Sequence, residues 1–129
     1  MAFIEAAVTQ IAAGTSLVSG TDLFIARMPS APDTAVGVYE YDGELPQYVM
    51  GAAGAVVDRP RLQVISRSAS YATARDTLAT IRVILDAQGV TWSGVGTLRV
   101  EPLGSILSLG PDEKDRMRCS CSFVGTIIR

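Results

Sequence analysis

Hydrophobic and polar positions alternate with two different periods on either side of one short serine-containing junction in this chain. Tyr71, Ala74, Leu78, Ile81 and Leu85 recur at spacings of three and four, which puts them on one stripe of an amphipathic helix. Arg75, Asp76, Thr80, Arg82 and Asp86 fall mostly on the opposite side. Ser68 or Ser70 can cap this helix, and Gly89 offers the left-handed conformation that ends one. Just upstream, Arg61 to Ser68 sets Leu62, Val64 and Ile65 among polar residues, a strand with one buried face. Pro60 fits only at its start, because proline gives a ladder no N–H. A strand thus feeds directly into a long helix, and the sheet containing Leu62 and Val64 is the surface on which that helix buries its stripe.

The rest of the chain is read the same way. Residues 2 to 13 form a first helix with Phe3, Ile4, Ala7, Val8 and Ile11 on its apolar side and Gly14 at its end. Thr15 to Asp22 is a loop, and Leu23 to Arg27 a short strand. Met28 to Thr34, with two prolines and an aspartate, is a turn. Ala35 to Tyr41 is a strand with Val36 and Val38 on one face and Tyr39 and Tyr41 on the other. Residues 42–58 mix Pro46 and two glycines of the GAAG stretch with apolar side chains, and read as a long connection, part of it extended. A connection of that length is uncommon in a compact domain and is often functional. Its apolar content packs either on its own domain or on another subunit.

Val90 to Pro102 reads as one extended segment with Leu98 and Val100 buried and Gly94 and Gly96 as weak points. Gly104 to Leu109 is a further short strand. The last strand runs from Arg116 to Ile128, where Met117, Cys119, Cys121, Phe123 and Ile127 alternate with Arg118, Ser120, Ser122 and Thr126. The turn GPDEKD joins these two strands as a hairpin. Strands outnumber helices and do not interleave with them. The expected fold is therefore α+β, a mostly antiparallel or mixed β-sheet with two α-helices packed on one face.

Composition narrows this picture. A chain of 129 residues, 48% hydrophobic and 19% charged, is expected to form a single domain over residues 1–129 with an ordinary core. A net charge of −2 gives no argument for tight non-specific binding to nucleic acid. No run of 18 apolar residues predicts a membrane helix, and an early Glu5 without a basic leader predicts no secretory signal. Cys119 and Cys121 share one strand face about 6.5–7 Å apart, at the edge of disulfide reach, and read as reduced core thiols of a cytosolic protein. A metal pair would need two more ligands, and the chain has no histidine and no third cysteine.

Candidate chemistry is sparse. Without histidine there is no imidazole acid or base and no histidine triad. The string GAAGAVVD lacks the Gly-Lys-Ser/Thr ending of a phosphate loop, and Gly94–Gly96 lacks the strand–helix context of a nucleotide fingerprint. Asp112, Glu113 and Asp115 lack calcium-loop spacing and read as a solvated hairpin tip. Glu40 and Asp42 could pair on one strand face, but nothing marks a pocket. No enzyme activity, metal or cofactor is expected. Arg61 and Arg67 share one strand face, joined by Arg59 if the strand starts early. They form either a solvated, salt-bridged edge or a basic patch toward acidic loops of a partner subunit or a DNA-filled channel.

Three segments, LFIARMP, PDTAVGVYEYDGELP and RPRLQVISRSASYATARDTLATIRVILD, resemble the minor capsid, or tail terminator, proteins of bacteriophages with long non-contractile tails. The matching positions are Leu23, Phe24, Met28, Pro29, Val38, Tyr39, Gly43 and Pro46. Pro60, Leu62, Val64, Arg67, Tyr71, Ala74, Ile81 and Leu85 continue the match. It covers about the central half of the chain, and its motifs are structural rather than catalytic. Two positions depart from the family pattern: Asp42 stands where a second glycine is usual, and Ser68 where glycine often follows the arginine.

The resemblance implies a small α+β subunit that assembles as a homo-hexameric ring on the head-proximal end of the tail tube. That ring stops polymerisation of the tail tube protein and presents a surface to the head connector or adaptor. DNA passes through its lumen without sequence-specific binding, and no membrane is involved. The expected location is the virion tail, after assembly in the bacterial host cytoplasm. A ring closes through heterologous contacts, so its two ends must differ. The 42–58 connection is assigned to the subunit or tail-tube contact, with Glu44, Tyr48, Met50 and Val56 as candidates and Tyr48 and Met50 as anchors. Asp112, Glu113 and Lys114 are candidates for the connector side, and Arg59, Arg61 and Arg67 for a basic patch. A head-completion adaptor would share these features. A small ligand-binding module built around Tyr39, Tyr41 and Trp92 is the alternative from a different class.

Overall fold

The computed structural model of the chain describes residues 3–48, 55–92 and 95–128. The elements follow as α1 (Phe3–Gly14), β1 (Leu23–Ile25), β2 (Ala35–Tyr48), β3 (Ala55–Ser68), α2 (Tyr71–Leu85), β4 (Ala87–Trp92), β5 (Gly96–Pro102), β6 (Leu107–Pro111) and β7 (Met117–Ile128). All seven strands join one sheet in the order β1-β2-β3-β7-β5-β4, with β6 also paired to β7. β1 runs parallel to β2 and every other pair is antiparallel. This is the α+β fold with a mixed sheet that the patterning implies.

Burial follows the two periods. Leu62 and Val64 of β3 lie opposite Phe123 and Cys121 of β7, and Val38 of β2 lies opposite Val64. All of these side chains are buried in one cluster with Ala74, Leu78, Ile81 and Leu85 of α2 and with Ala7, Val8 and Ile11 of α1. Both helices therefore cover the same face of the sheet. Ser70 caps α2, its hydroxyl accepting from the Thr73 amide at 3.5 Å. Phe3 stacks on Trp92, ring centroids 5.8 Å apart, and its ring lies so close to Gly125 that a Cβ there would sit 2.7 Å from Phe3 Cζ. Cys119 and Cys121 are free and buried on this face, and burial raises both thiols above their ordinary range.

Several expectations change. Tyr71 does not join the buried stripe of α2; it is exposed, and its hydroxyl accepts from Arg75 Nη1 one turn on. The helix ends at Leu85 rather than at Gly89, because β4 begins at Ala87. Gly89 does take a left-handed φ of 61°, but between Ala87 and Val90, where the β4–β5 register shifts. The single extended segment expected over 90–102 is a hairpin instead: β4 and β5 pair antiparallel, with Thr91 opposite Thr97 and Trp92 opposite Gly96. The stretch 42–58 is mostly strand. Residues 42–48 extend β2 and residues 55–58 open β3, with Glu44 opposite Arg59 and Tyr48 opposite Ala55. Three register shifts along these arms accommodate Gly43 and Pro46, which is why the alternation is hard to read there. The hairpin through GPDEKD forms as expected, with its first strand moved to Leu107–Pro111.

Candidate assembly surface

The face of the sheet away from the helices carries Tyr39 and Tyr41 of β2, Arg59, Arg61, Gln63, Ile65 and Arg67 of β3, and Arg118, Ser120, Ser122 and Val124 of β7. Strand alternation puts them there. Tyr39 pairs with Gln63, Tyr41 with Arg61, Gln63 with Ser122 and Arg61 with Val124. Arg99 and Glu101 of β5 continue the face as an exposed ion pair of 2.7 Å. Tyr39 folds back across Gly37, where a Cβ would meet its ring at 2.9 Å, so glycine at 37 is what lets the ring lie on the sheet. Burial raises the Tyr39 hydroxyl above its ordinary range, against the charge of Arg67.

One end of this face is closed by two buried arginines. Arg67, 4% exposed, donates from Nη2 to the carbonyls of Pro29 (2.7 Å) and Pro32 (2.6 Å) and from Nε to that of Asp33 (3.3 Å). Arg116, 5% exposed, donates from Nε to Asp112 at 2.9 Å and from Nη1 to the Ser30 carbonyl and the Asp33 carboxylate. Lys114 Nζ reaches Ser30 Oγ at 2.7 Å. The 28–34 turn and the β6–β7 tip are thereby fastened together over the strand ends. Asp112 is the hinge pin of the tip: its Oδ1 accepts from the amides of Lys114 (3.0 Å) and Arg116 (2.9 Å), while Oδ2 faces the Arg116 guanidinium. Burial pushes its carboxyl up, but the Arg116 amide and guanidinium and the Lys114 amide outweigh this and hold it at about 2. Burial and the charge of Arg116 lower the Arg67 guanidinium, against the pull of Asp112, Asp33 and Tyr39.

The residue groups singled out by the sequence separate accordingly, and the register sets the geometry. Ser68 of β3 lies opposite Met117 of β7, and Val57 lies opposite Ile128. The β6–β7 tip and the far end of the β2–β3 hairpin therefore stand at opposite ends of the sheet. From Val57 to Ser68 is eleven residue steps along β3, about 36 Å at strand rise. Glu44, Tyr48 and Val56 lie on the hairpin arms, described by their backbone, and Met50 falls outside the described residues. Asp112, Glu113 and Lys114 lie at the other end; Asp112 is largely buried as an internal anchor, while Glu113 and Lys114 are exposed. Arg59 and Arg61 are half-buried on the open face, whereas Arg67 is enclosed by the 28–34 carbonyls.

The aromatics considered for a ligand pocket are split by the sheet: Trp92 stacks in the helix-covered core and Tyr39 and Tyr41 lie on the open face. What the sequence hides is the role of Arg116, Arg118 and Tyr39. The β3–β7 pairing sets Arg118 opposite Arg67, while Tyr39 reaches the same place from β2 by folding across Gly37, and no local spacing encodes either.

Among the described residues no cluster of metal-ligating side chains occurs, and no helix is long and apolar enough to cross a membrane. The chain belongs to the bacteriophage tail terminator protein family, whose sequence profile matches residues 11–126. It is thus a structural protein of phage tail completion, and its place is the virion tail. No curated protein matches the chain. Its fold is similar to that of a chain in the virion of a native gene transfer agent particle, at 20% identity and a TM-score of 0.65, over 99% of this chain and 96% of that one.

Proposed function

We propose that this chain forms a homo-hexameric ring on the head-proximal end of the tail tube, ends tube polymerisation and supplies the surface to which the head connector joins. The family match over residues 11–126 carries this reading. The geometry supports it in two ways. A terminating ring needs one end complementary to the tube and a different end complementary to the connector. The 48–55 end of the β2–β3 hairpin and the 112–116 tip stand at opposite ends of one sheet, as that role requires. The open face between them carries Arg59 and Arg61 and is the face we orient toward the DNA path, where arginines attract phosphate without reading sequence.

The testing experiment is electron microscopy of lysates from a phage in which this gene is interrupted. Overlong, headless tails are expected. Tails of normal length beside full, unjoined heads would overturn termination in favour of a head-completion adaptor. At finer grain, Tyr48→Ala with Met50→Asp is expected to abolish ring assembly and infectivity; particles that assemble normally with both changes would remove the hairpin from the contact.

A further inference from the structure

We propose that β6 and the adjoining pocket form a docking groove for an extended, acid-bearing segment of another virion protein, one on the connector side of the ring. This rests on the terminator reading above and deepens it.

Two independent features point to it. The first is the edge. β6 has β7 as its only strand partner among the described residues, so its outer edge offers unpaired backbone groups. Proteins blunt such edges with charge or cover, yet the residues here are Leu107, 62% exposed, and Leu109, 40% exposed, with Leu103 exposed just before them. An extended peptide adding to such an edge gains main-chain hydrogen bonds and seats alternate side chains in pockets.

The second feature is what lies at the end of that edge. Pro111, the last residue of β6, forms part of the wall of a cavity of about 460 Å³. Tyr39, Ile65, Met28 and the three arginines 67, 116 and 118 form much of the rest. Arg118 stands directly opposite Arg67 across the β3–β7 ladder, a like-charge pair that costs stability unless compensated. Arg67 is compensated by carbonyls and Arg116 by Asp112 and Asp33. The Nε of Arg118 is fully buried and has no hydrogen-bond partner among the described residues. A buried donor left unmade is costly, and Arg118 as a whole is half-buried and lines the cavity, where an incoming carboxylate would offset the like-charge pair through a charge-assisted contact with its guanidinium. The two carboxylates on the cavity wall do not serve: Asp112 is engaged by Arg116 and Lys114, and Glu113 forms no ion pair with Arg118. The groove thus matches an extended segment with an apolar side chain against Leu107 and Leu109 and an Asp or Glu reaching Arg118.

Two phage variants test this. Leu107→Lys changes an exposed position, so folding is not at issue. Arg118→Glu reverses the charge at the pocket. For both, tails of parental length are expected beside full but unjoined heads, with infectious titre down roughly thirtyfold or more, the loss expected of an interface hot spot. Plaque-forming suppressors of Arg118→Glu are expected to exchange an acidic residue for a basic one in a different virion protein. Titre within about twofold of the parent for Leu107→Lys would overturn the proposal. So would suppressors confined to this chain, which would make the occupant a second copy, or overlong tails, which would assign the groove to the tube contact. Parental tail length with failed or unaffected joining leaves the terminator reading standing, so the two ideas fail separately.

Discussion

The two faces of the sheet are built from the same strands and held in opposite ways. Under the helices, Leu62, Val64, Cys119, Cys121 and Phe123 pack against α1 and α2 with no charged side chain among the cluster. On the open face, order at one end comes from guanidinium groups bonded to carbonyls of a turn more than thirty positions away in sequence, as Arg67 is to Pro29. The covered face is held by area removed from water, which is non-directional and tolerant of detail. The end of the open face is held by donors and acceptors that must all be matched, because a buried polar group left alone costs more than its bond contributes. That difference separates two kinds of order: burial holds the first face, and matched donors and acceptors hold the end of the second.

The largest effects are therefore expected on the covered face. Phe123 is fully buried at the centre of β7, and Phe123→Ala should lower unfolding free energy by about 3–5 kcal/mol in urea titrations. Val83, 77% exposed on α2, is the matched control, and Val83→Ala should stay within about 0.5 kcal/mol. Equal losses at the two positions would mean that the helices do not cover this face. Gly125→Ala should cost about 1–3 kcal/mol through overpacking against Phe3, and Phe3→Leu in the same chain should recover part of it.

The same contrast decides what the sequence revealed. The covered face was readable because burial imposes a period: the stripe from Ala74 to Leu85 and the alternation from Cys119 to Ile127 both appear in the buried set. Tyr71 misled because its position on the stripe lies at the first turn, beyond the sheet, where its ring stays exposed beside Arg75. The arms of the β2–β3 hairpin were hidden by Pro46 and by register shifts that break the alternation of side chains. Arg67 was legible as a strand residue on the right face but not as a buried clamp, since its partners are backbone carbonyls, which every residue carries. The relation between the two hairpin ends follows from β3–β7 pairing, a contact between segments about sixty residues apart that no local pattern records.

A middle-sized effect is expected at that clamp. Arg67→Ala strands the carbonyls of Pro29, Pro32 and Asp33 and should cost about 1–3 kcal/mol. Its signature distinguishes it from the core changes: limited proteolysis and amide exchange should rise in residues 28–34 and at the 112–116 tip before the rest of the sheet opens. Uniform loss of protection across β3 and β7 would show that the arginine supports the whole sheet rather than its end.

The smallest effect is the most specific to the open face. The Asp112 carboxyl sits at about 2 in the folded chain against an ordinary value of 3.8. A depressed folded value means that the ionised group stabilises the fold above the ordinary value, and that this contribution is lost as pH falls through the folded one. Asp112→Asn keeps an oxygen to accept from the Lys114 and Arg116 amides and removes the charge facing the guanidinium. The stability gap between parent and variant should be constant between about pH 5 and 7, narrow below about pH 4 and close near pH 2, read as urea midpoints at each pH. A gap that persists unchanged at pH 2 would mean the asparagine disturbs the turn itself rather than its charge. Phe123→Ala, by contrast, should show the same loss at every pH in that range. No titrating group faces it in the buried cluster except thiols, which burial keeps neutral there. A pH-dependent loss at Asp112 beside a pH-independent one at Phe123 would separate the two faces by chemistry as cleanly as the helices separate them by position.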